Sequence, residues 1–466
     1  MRHFGRMIDL ANTLDQLVNY CKQYGFIFQG SEIYGGLANS WDYGPLGVEL
    51  KNNIKKAWWE KFVARNPYNV GLDSGIILHT NAWIASGHVK SFQDPLMDCK
   101  ECKSRHRADK LIEAHSKGKV DADGWSRDEM LRYINDNKVK CPVCGAFNYT
   151  DIRQFNLMFK THQGVIEDEQ SQVYLRPETA QGIFLDFKNV LRVSRKKIPF
   201  GIGQIGKAFR NEITPGNFVF RTREFEQMEL EFFCKPHTEL EWFAYWKDFA
   251  QKFLLSLGLD PEHIRFHDHP KEKLSFYSNA TTDILYQFPW GFDELWGIAS
   301  RTDYDLGRHQ ENSGENLEYL DPDTNEKYLP YVIEPSLGVE RLLLAILNDA
   351  LTEETVESTG ETRTLLKIDK HLAPYQVAVL PLVKKYHQEK SNAVFNMLIN
   401  DFSAVYDDTG NIGRRYRRQD AIGTPYAVTI DDTTESEGTV TIRDRDSMSQ
   451  VVIAVAELSD YLKKQF

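Results

Sequence analysis

The chain has 466 residues, of which 41% are hydrophobic and 26% charged, and its formal net charge is −11. This length suits two to four domains, and the apolar content is ample for a packed core. Net acidity argues against nonspecific coating of nucleic acid, although a local basic patch still permits a nucleic-acid partner. No apolar run reaches the ~18 residues that span a bilayer, so we expect no membrane association. The N-terminal residues MRHFGRMIDLANTL show no secretory signal, which predicts a cytoplasmic location.

Apolar residues recur at helical spacing between Asn12 and Tyr24, which predicts an amphipathic helix. Glycine-rich loops follow, and the second of them, Tyr43-Gly-Pro-Leu-Gly, places Pro45 at the start of a long helix that runs to about Val63.

Two CxxC pairs lie in a stretch, residues 98–150, that we interpret as an insertion. The pairs are Cys99 with Cys102 and Cys141 with Cys144. Such pairs indicate tetrahedral thiolate coordination of a structural Zn²⁺, because four thiolates leave no open position for a substrate. The alternatives are four reduced cysteines without a metal or, less favoured in the cytosol, disulfides.

The stretch from Phe209 to Phe233 predicts two antiparallel strands joined by a long, turn-rich loop. Arg210 opens it, and Arg221, Arg223 and Phe225 follow the loop. Guanidinium groups pair with phosphate oxygens and an aromatic ring stacks on a base, so this group suits a nucleotide. From the hairpin alone, a surface hairpin with solvated charges is the alternative.

The last hundred residues alternate between strand and helix patterns, which predicts an α/β domain. We expect strands near residues 375–381, 404–407, 426–430 and 439–443, a helix at 388–402 and a closing helix after Ser449. The polar stretch Glu353–Thr364 before this domain predicts a linker or exposed loop.

Three segments resemble, in order, the motifs of the class II aminoacyl-tRNA synthetases. Leu175–Gly182 is similar to their amino-acid-binding segment, Phe209–Phe225 resembles motif 2, and Glu334–Leu342 resembles motif 3. The residues of these motifs, together with Tyr43-Gly-Pro-Leu-Gly, are similar to those of the dimeric, glycine-specific branch of the class. The resemblance covers nearly the whole chain.

The resemblance implies an α/β chain of three parts. An α+β catalytic domain with an antiparallel sheet would comprise residues 1–98 and 151–371, an inserted domain 99–150, and an α/β anticodon-binding domain 372–466. It also implies a homodimer, although Ile76–Thr80, which corresponds to motif 1, lacks the proline usual there.

The resemblance further implies ATP with Mg²⁺ as cofactor. Arg210 would contact the α-phosphate, Arg341 and Arg221 the γ-phosphate end, and Phe225 with Arg341 would sandwich the adenine. Glu212 would bind the adenine amino group, and Glu334 would hold the Mg²⁺. The full set implied for ATP is Arg210, Asn211, Glu212, Phe220, Arg221, Thr222, Arg223, Glu224, Phe225, Glu294, Leu295, Gly338, Val339, Glu340 and Arg341.

Glycine and tRNA(Gly) are the other substrates that the resemblance implies. Glu178 and Glu229 would surround the ammonium group of glycine, and selection would rest on excluding a methyl group. Arg107 would reach the active site, with a solvated surface arginine as the alternative. The set implied for glycine is Arg107, Glu178, Phe225, Glu226, Gln227, Met228, Glu229, Glu334, Pro335, Ser336, Leu337 and Gly338.

The basic stretch Gly413–Arg418 is predicted to contact the tRNA anticodon through Arg414, Arg415, Arg417 and Arg418. A solvated helix face is its alternative. Two other functions remain open at this point: a class II synthetase for threonine or proline, and an accessory factor that kept the fold and lost amino-acid activation.

Overall fold

The computed structural model describes residues 12–122, 124–168, 170–275, 277–356 and 360–466. Residues 1–11, on which most of the prediction about a secretory signal rests, lie outside the described residues. The elements before the CxxC pairs are α1 (Leu14–Tyr24), β1 (Ile27–Gln29), β2 (Trp41–Tyr43), α2 (Pro45–Trp59), β3 (Asn69–Gly71), α3 (Thr80–Ala85), α4 (His88–Ser91) and β4 (Gln93–Asp98).

Both predicted helices form in this region. Thr13 caps α1 by accepting a hydrogen bond from the backbone of Gln16, and Pro45 occupies the first turn of α2. A π-helical turn at Glu60–Ala64 continues α2.

The CxxC region has its own apolar core around Met97, Ile112 and Ile134. Its sheet has the order β5-β4-β6, in which both neighbours of β4 run antiparallel to it. The elements here are β5 (Arg105–Arg107), α5 (Ala108–His115), α6 (Arg127–Asp136) and β6 (Arg153–Asn156).

The central part of the chain supplies most strands of the large sheet. Its elements are β7 (Lys160–His162), β8 (Gln172–Tyr174), α7 (Ala180–Ser194), β9 (Phe200–Phe209), β10 (Glu224–Cys234), α8 (Glu239–Ser256), β11 (Ile264–Asp268), β12 (Ala280–Phe288), β13 (Gly291–Thr302), α9 (Tyr304–Ser313), β14 (Tyr319–Leu320), β15 (Lys327–Tyr328), β16 (Tyr331–Gly338) and α10 (Val339–Ala350).

Among the described residues the large sheet has seven strands in the order β11-β12-β13-β16-β10-β9-β3. All neighbours are antiparallel except β3 and β9, which confirms the predicted antiparallel sheet. Helices α2, α8 and α10 cover one face through a core that includes Trp58, Trp246 and Leu343. Helix α7 packs against the other face through a core that includes Phe187, Phe200 and Phe233, and this face, here called the site face, also carries the acidic side chains of the candidate site.

The C-terminal part confirms the predicted α/β pattern. Its elements are β17 (Leu351–Val356), β18 (Glu361–Leu366), β19 (Val377–Pro381), α11 (Lys384–Leu398), β20 (Ala404–Tyr406), α12 (Ile412–Ile422), β21 (Tyr426–Ile430), α13 (Asp432–Glu437), β22 (Thr439–Asp444), β23 (Gln450–Ala454) and α14 (Leu458–Lys463). Strands β20, β19 and β21 are parallel, and β22 and β23 complete the sheet antiparallel.

One local prediction in this part is wrong. Residues Glu353–Thr364, predicted as a loop, mostly belong to the hairpin of β17 and β18, because Arg363 is buried and ion-paired with Asp420 of α12. The closing helix predicted after Ser449 forms as α14, which begins at Leu458 because the preceding residues pair with β22 as strand β23 at the edge of the sheet. Among the described residues, no helix is long and apolar enough to cross a membrane.

Candidate active site

Strand β10 presents its alternate side chains to two different environments. Glu229 pairs in register with Ser336 of β16 on the site face, whereas Met228 pairs with Leu337 and both lie in the core. The prediction that Glu226 and Met228 contact glycine is therefore wrong for their side chains, because Glu226 is held by Lys51 and Lys55 of α2.

The same alternation corrects the prediction for β16. Glu334 and Ser336 share the site face, while the side chain of Leu337 is buried in the core and that of Pro335 is buried opposite Ile298 of β13. Three residues assigned to ATP also point elsewhere. The side chains of Leu295 and Val339 are buried in the core and that of Glu340 binds Lys51, so the predicted contacts of these residues with ATP would run through their backbone.

Arg210 lies where β9 ends and its guanidinium is held on both sides. The ring centres of Phe92 and Phe225 lie 5.4 and 5.3 Å from its central carbon. Its Nε donates a hydrogen bond to the carbonyl of Pro177 at 3.0 Å. These contacts orient the guanidinium before any ligand arrives, which is the arrangement that a phosphate-binding arginine needs.

Arg341 occupies the first turn of α10, beside Glu294 of β13. Its guanidinium stacks over Phe220 at 4.2 Å and ion-pairs with Glu294 at 3.4 Å. The charge of Arg341 lowers the pKa of Glu294, and Arg210 and Arg221 lower it further. In this structure Arg341 thus stacks on Phe220, whereas the ring of Phe225 is covered by Arg210.

The rest of the hairpin loop is fixed by local bonds. Thr222 donates to the carbonyl of Glu224, whose carboxylate ion-pairs with Lys207. Arg223 donates to the carbonyl of Ala38, and the backbone N–H of Asn211 donates to Leu157.

Four acids define the other half of the site, of which Glu229 and Glu231 are buried and Glu178 and Glu334 are half-buried. Glu178 bonds His88 at 3.3 Å, Glu334 accepts two bonds from Arg301, and Glu229 accepts a short bond from the hydroxyl of Thr179. One oxygen each of Glu229, Glu231 and Glu334 lies within 4.8 Å of the others. So dense a cluster of carboxylates around Arg301 is suited to bind a small cation.

Burial controls the charge of these acids. It raises the pKa of Glu229 to about 8, and the charges of Glu334 and Glu178 contribute to the rise. Burial also raises the pKa of Glu178, but His88 and Arg301 outweigh it, so its pKa lies well below the ordinary value. Glu178 is therefore ionised at neutral pH, whereas Glu229 holds a proton for much of the time.

Glu231 is fully buried, and burial together with Glu334 and Glu229 raises its pKa well above the ordinary value. Neither of its oxygens has a hydrogen-bond donor among the described residues. A protonated Glu231 resolves this, because it then donates to the neighbouring Glu334 instead of repelling it.

The predicted magnesium ligand, Glu334, belongs to this acid cluster and is already engaged by Arg301. Glu294 instead faces the arginines assigned to the phosphates. Carboxylates are the ligands that Mg²⁺ takes, and Glu294 and Glu334 are both candidates, each ion-paired with one arginine.

Arg107 does not lie in the acid cluster. Asp94 and Asp109 form ion pairs with its guanidinium at 3.1 and 2.6 Å. Of the motif 2 residues, Glu212 is the one whose negative charge acts on Arg107. In this structure two carboxylates bind the guanidinium of Arg107, and its contact with glycine stays a prediction.

The four cysteines of the insertion come together as predicted. The sulfur atoms of Cys99 and Cys144 are 3.6 Å apart, and those of Cys102 and Cys141 are 3.7 Å apart. Zn–S bonds of about 2.3 Å in a regular tetrahedron separate the sulfurs by roughly 3.8 Å. The donor set therefore fits Zn²⁺.

Helix α12 carries the predicted anticodon arginines, but one of them faces inward. Arg415 is buried and donates to the carbonyls of Pro381, Asp408 and Gly410, so its assignment to tRNA is wrong. Arg414 and Arg417 are exposed and Arg418 is partly exposed. On the inner face of the helix, Asp420 binds Arg363 and Arg443.

Sequence reasoning missed several site residues. His88 and Phe92 reach the site from α4 and the residue that follows it, and no motif in the sequence includes them. Thr179 and Gln181 lie inside the segment that resembles the amino-acid-binding motif, and their polar character was the available signal.

Comparison with known families agrees with this geometry. Residues 159–350 match the family described as "tRNA synthetase class II core domain (G, H, P, S and T)". Residues 376–465 match "Anticodon binding domain", and residues 124–157 match "Glycyl-tRNA synthetase insertion domain 1". An antiparallel sheet with motif 2 and motif 3 arginines beside buried acids, joined to such a C-terminal domain, defines a class II aminoacyl-tRNA synthetase.

Curated relatives identify the branch of this class. The glycine–tRNA ligase of Clostridium kluyveri is 62% identical over 97% of this chain and 98% of its own length. Those of Clostridium tetani and Acetivibrio thermocellus are each 61% identical over 98% of this chain, and the matches cover 99% and 100% of their own lengths. The chain belongs to the glycine–tRNA ligase family.

Proposed function

We propose that this protein activates glycine with ATP to glycyl-adenylate and transfers glycine to the 3′ end of tRNA(Gly), releasing AMP and pyrophosphate. One observation carries the proposal: the site contains both arginines whose guanidinium groups are held in place, Arg210 and Arg341, and a cluster of carboxylates that is small enough to surround an ammonium group. Family membership supports the choice of glycine and tRNA(Gly) as substrates.

Activation joins two anions, the glycine carboxylate and the α-phosphate, so catalysis consists mainly of positioning and charge neutralisation. Arg210 binds the α-phosphate and stabilises the charge that develops there. Arg221 and Arg341 hold the γ-phosphate end, and Mg²⁺ bound by Glu294 or Glu334 would neutralise the triphosphate. The attacking carboxylate is already ionised, so no general base is required.

Glycine enters with its ammonium group toward Glu178, Glu229 and Glu334. These carboxylates repel one another in the empty site, and the positive charge of the ammonium group compensates their negative charge. Glu229 therefore loses its proton as the ammonium binds. Selection against larger amino acids rests on exclusion, since glycine has no side chain to recognise.

Glycine-dependent pyrophosphate exchange tests this function with purified protein. We expect exchange with glycine and little with alanine, serine, threonine or proline. Exchange that prefers threonine or proline would identify another specificity of the same class, and absence of exchange with every amino acid would favour an accessory factor.

The wider assignment follows from the same proposal. The catalytic domain comprises residues 1–98 and 151–371, the inserted domain 99–150 and the anticodon-binding domain 372–466. The protein acts as a homodimer, as the resemblance to the dimeric branch implies. Its place is the cytoplasm, where the thiols of a zinc site stay reduced.

We propose that Cys99, Cys102, Cys141 and Cys144 bind one structural Zn²⁺ per chain. Elemental analysis of protein purified without added metal should find about one zinc per chain. Replacing Cys99 and Cys102 by serine should remove it, whereas replacing Cys21, a buried cysteine outside the cluster, should not. Zinc near zero, with all four thiols reactive, would contradict the site.

For the anticodon we propose contacts from Arg414, Arg417 and Arg418. Changing these three to alanine should raise KM for tRNA and flatten its salt dependence, because each lost phosphate contact removes a counterion-release step. Exchange without tRNA should stay normal. Arg415 is kept, since its removal would leave three carbonyls without a donor.

A matched control removes three exposed charges of the catalytic domain, Lys235, Lys252 and Lys327. If the triple arginine variant charges tRNA normally at all salt concentrations, Arg414, Arg417 and Arg418 do not contact tRNA and form only a solvated helix face. Point variants are preferred to truncation at residue 372, because deletion would leave Arg363 of the hairpin buried without Asp420.

A further inference from the structure

A buried ion cluster lies on the face of the large sheet that α2 and α10 cover. Lys51 of α2 contacts Glu226 at 2.8 Å and Glu340 at 2.6 Å, and its ammonium lies 4.1 Å from the ring centre of Tyr43. The second oxygen of Glu340 accepts the backbone N–H of Glu226 at 3.0 Å. One side chain of α2 thus joins motif 2 to motif 3.

Each carboxylate in this cluster is the sequence neighbour of an ATP-site residue. Glu226 follows Phe225 on β10, and Glu340 precedes Arg341 on α10. Adjacent residues on a strand face opposite sides, so a clamp on Glu226 fixes the position of Phe225 across the sheet. A clamp on Glu340 likewise fixes the first turn of α10, on which Arg341 sits.

Lys51 remains charged in its buried position. Burial lowers the pKa of Lys51, but the charges of Glu340 and Glu226 outweigh it and the pKa rises. Lys55 also contacts Glu226, at 3.2 Å, but no contact joins it to Glu340 among the described residues. Lys51 is therefore the cation that holds both carboxylates together.

We infer that Lys51 is a positioning residue for ATP, which sets the spacing between Phe225 of motif 2 and Arg341 of motif 3 through Glu226 and Glu340. This inference rests on the proposed function. Without Lys51, Glu340 keeps a buried charge without an ionic partner, and a cavity of about 650 Å³ beside it gives the carboxylate room to turn away. Arg341 would then lose its place opposite the phosphates.

The test compares Lys51→Met with the matched control Lys55→Met, in glycine-dependent pyrophosphate exchange and in thermal unfolding. Lys51→Met should raise KM for ATP about tenfold or more, while KM for glycine changes about twofold or less. Lys55→Met loosens Glu226 alone and leaves Glu340 bound to Lys51, so it should raise KM for ATP clearly less than Lys51→Met does. Glu340→Gln should raise KM for ATP in the same direction, and the double variant should add little to Lys51→Met, because the two residues act as one unit.

Each outcome decides the inference. A lower unfolding temperature with unchanged KM for ATP, or equal rises of both KM values, would show that Lys51 only stabilises the fold. If Lys51→Met does not fold, an unchanged KM for ATP in Glu340→Gln overturns the inference and a raised one supports it. Absence of exchange in the wild-type protein would instead contradict the proposed function.

Discussion

Replacing Arg210 by alanine is expected to slow glycyl-adenylate formation by about 10²–10³-fold while the protein stays folded. The guanidinium is held by Phe92, Phe225 and the carbonyl of Pro177, and among the described residues only its Nε donates a protein hydrogen bond. The two Nη groups are thus available to the α-phosphate, where charge develops in the transition state. Glycine-dependent pyrophosphate exchange at saturating substrates measures the loss.

Two further variants test whether the loss is specific to the guanidinium of Arg210. Arg210→Lys keeps the charge but loses the planar fork, so it should recover only part of the activity. Arg308→Ala is the matched control, because Arg308 is a partly buried arginine that bonds Ala85 and Glu311 away from the arginines assigned to ATP. Near-normal exchange by Arg210→Ala would remove Arg210 from the mechanism.

The second large effect concerns the affinity for glycine and its dependence on pH. Glu229 has a pKa raised to about 8, and the bound ammonium favours its ionised form. Below that pH, glycine binding must release a proton, so KM for glycine should fall up to about tenfold for each unit that the pH rises toward 8. Above about pH 8, KM for glycine should no longer change with pH. Because the acids interact, the midpoint belongs to the cluster as a whole.

Glu229→Gln removes the charge and keeps the shape of the side chain. KM for glycine should rise by about 10²-fold at pH 8, and its pH dependence should flatten. Glu231→Gln should change KM far less, because Glu231 is protonated at neutral pH and the amide keeps its capacity to donate to Glu334. A wild-type KM that does not vary with pH, or a Glu229→Gln variant that binds glycine normally, would contradict this role.

Local sequence patterns predicted the architecture well where one element carries its own signal. Pro45 marks the start of α2, the two CxxC pairs meet within one cluster, and the alternation after Phe225 indicates β10. The polar stretch before the C-terminal domain misled the prediction, because Arg363 has a buried partner 57 residues away in α12. The sequence does not distinguish an arginine that is buried against a distant acid from an arginine that is exposed to solvent.

The sequence by itself determined the class of protein, the order of its motifs and the residue types available for phosphate, ammonium and zinc, because these depend on short spacings. Only the tertiary structure decided which acids face the substrates. Glu226 and Glu229 are three residues apart on one strand, yet one binds Lys51 in the packed layer and the other lies in the acid cluster. Strand alternation separates the two faces, and the distant partners that pack on each face determine which carboxyl is ionised and which holds a proton.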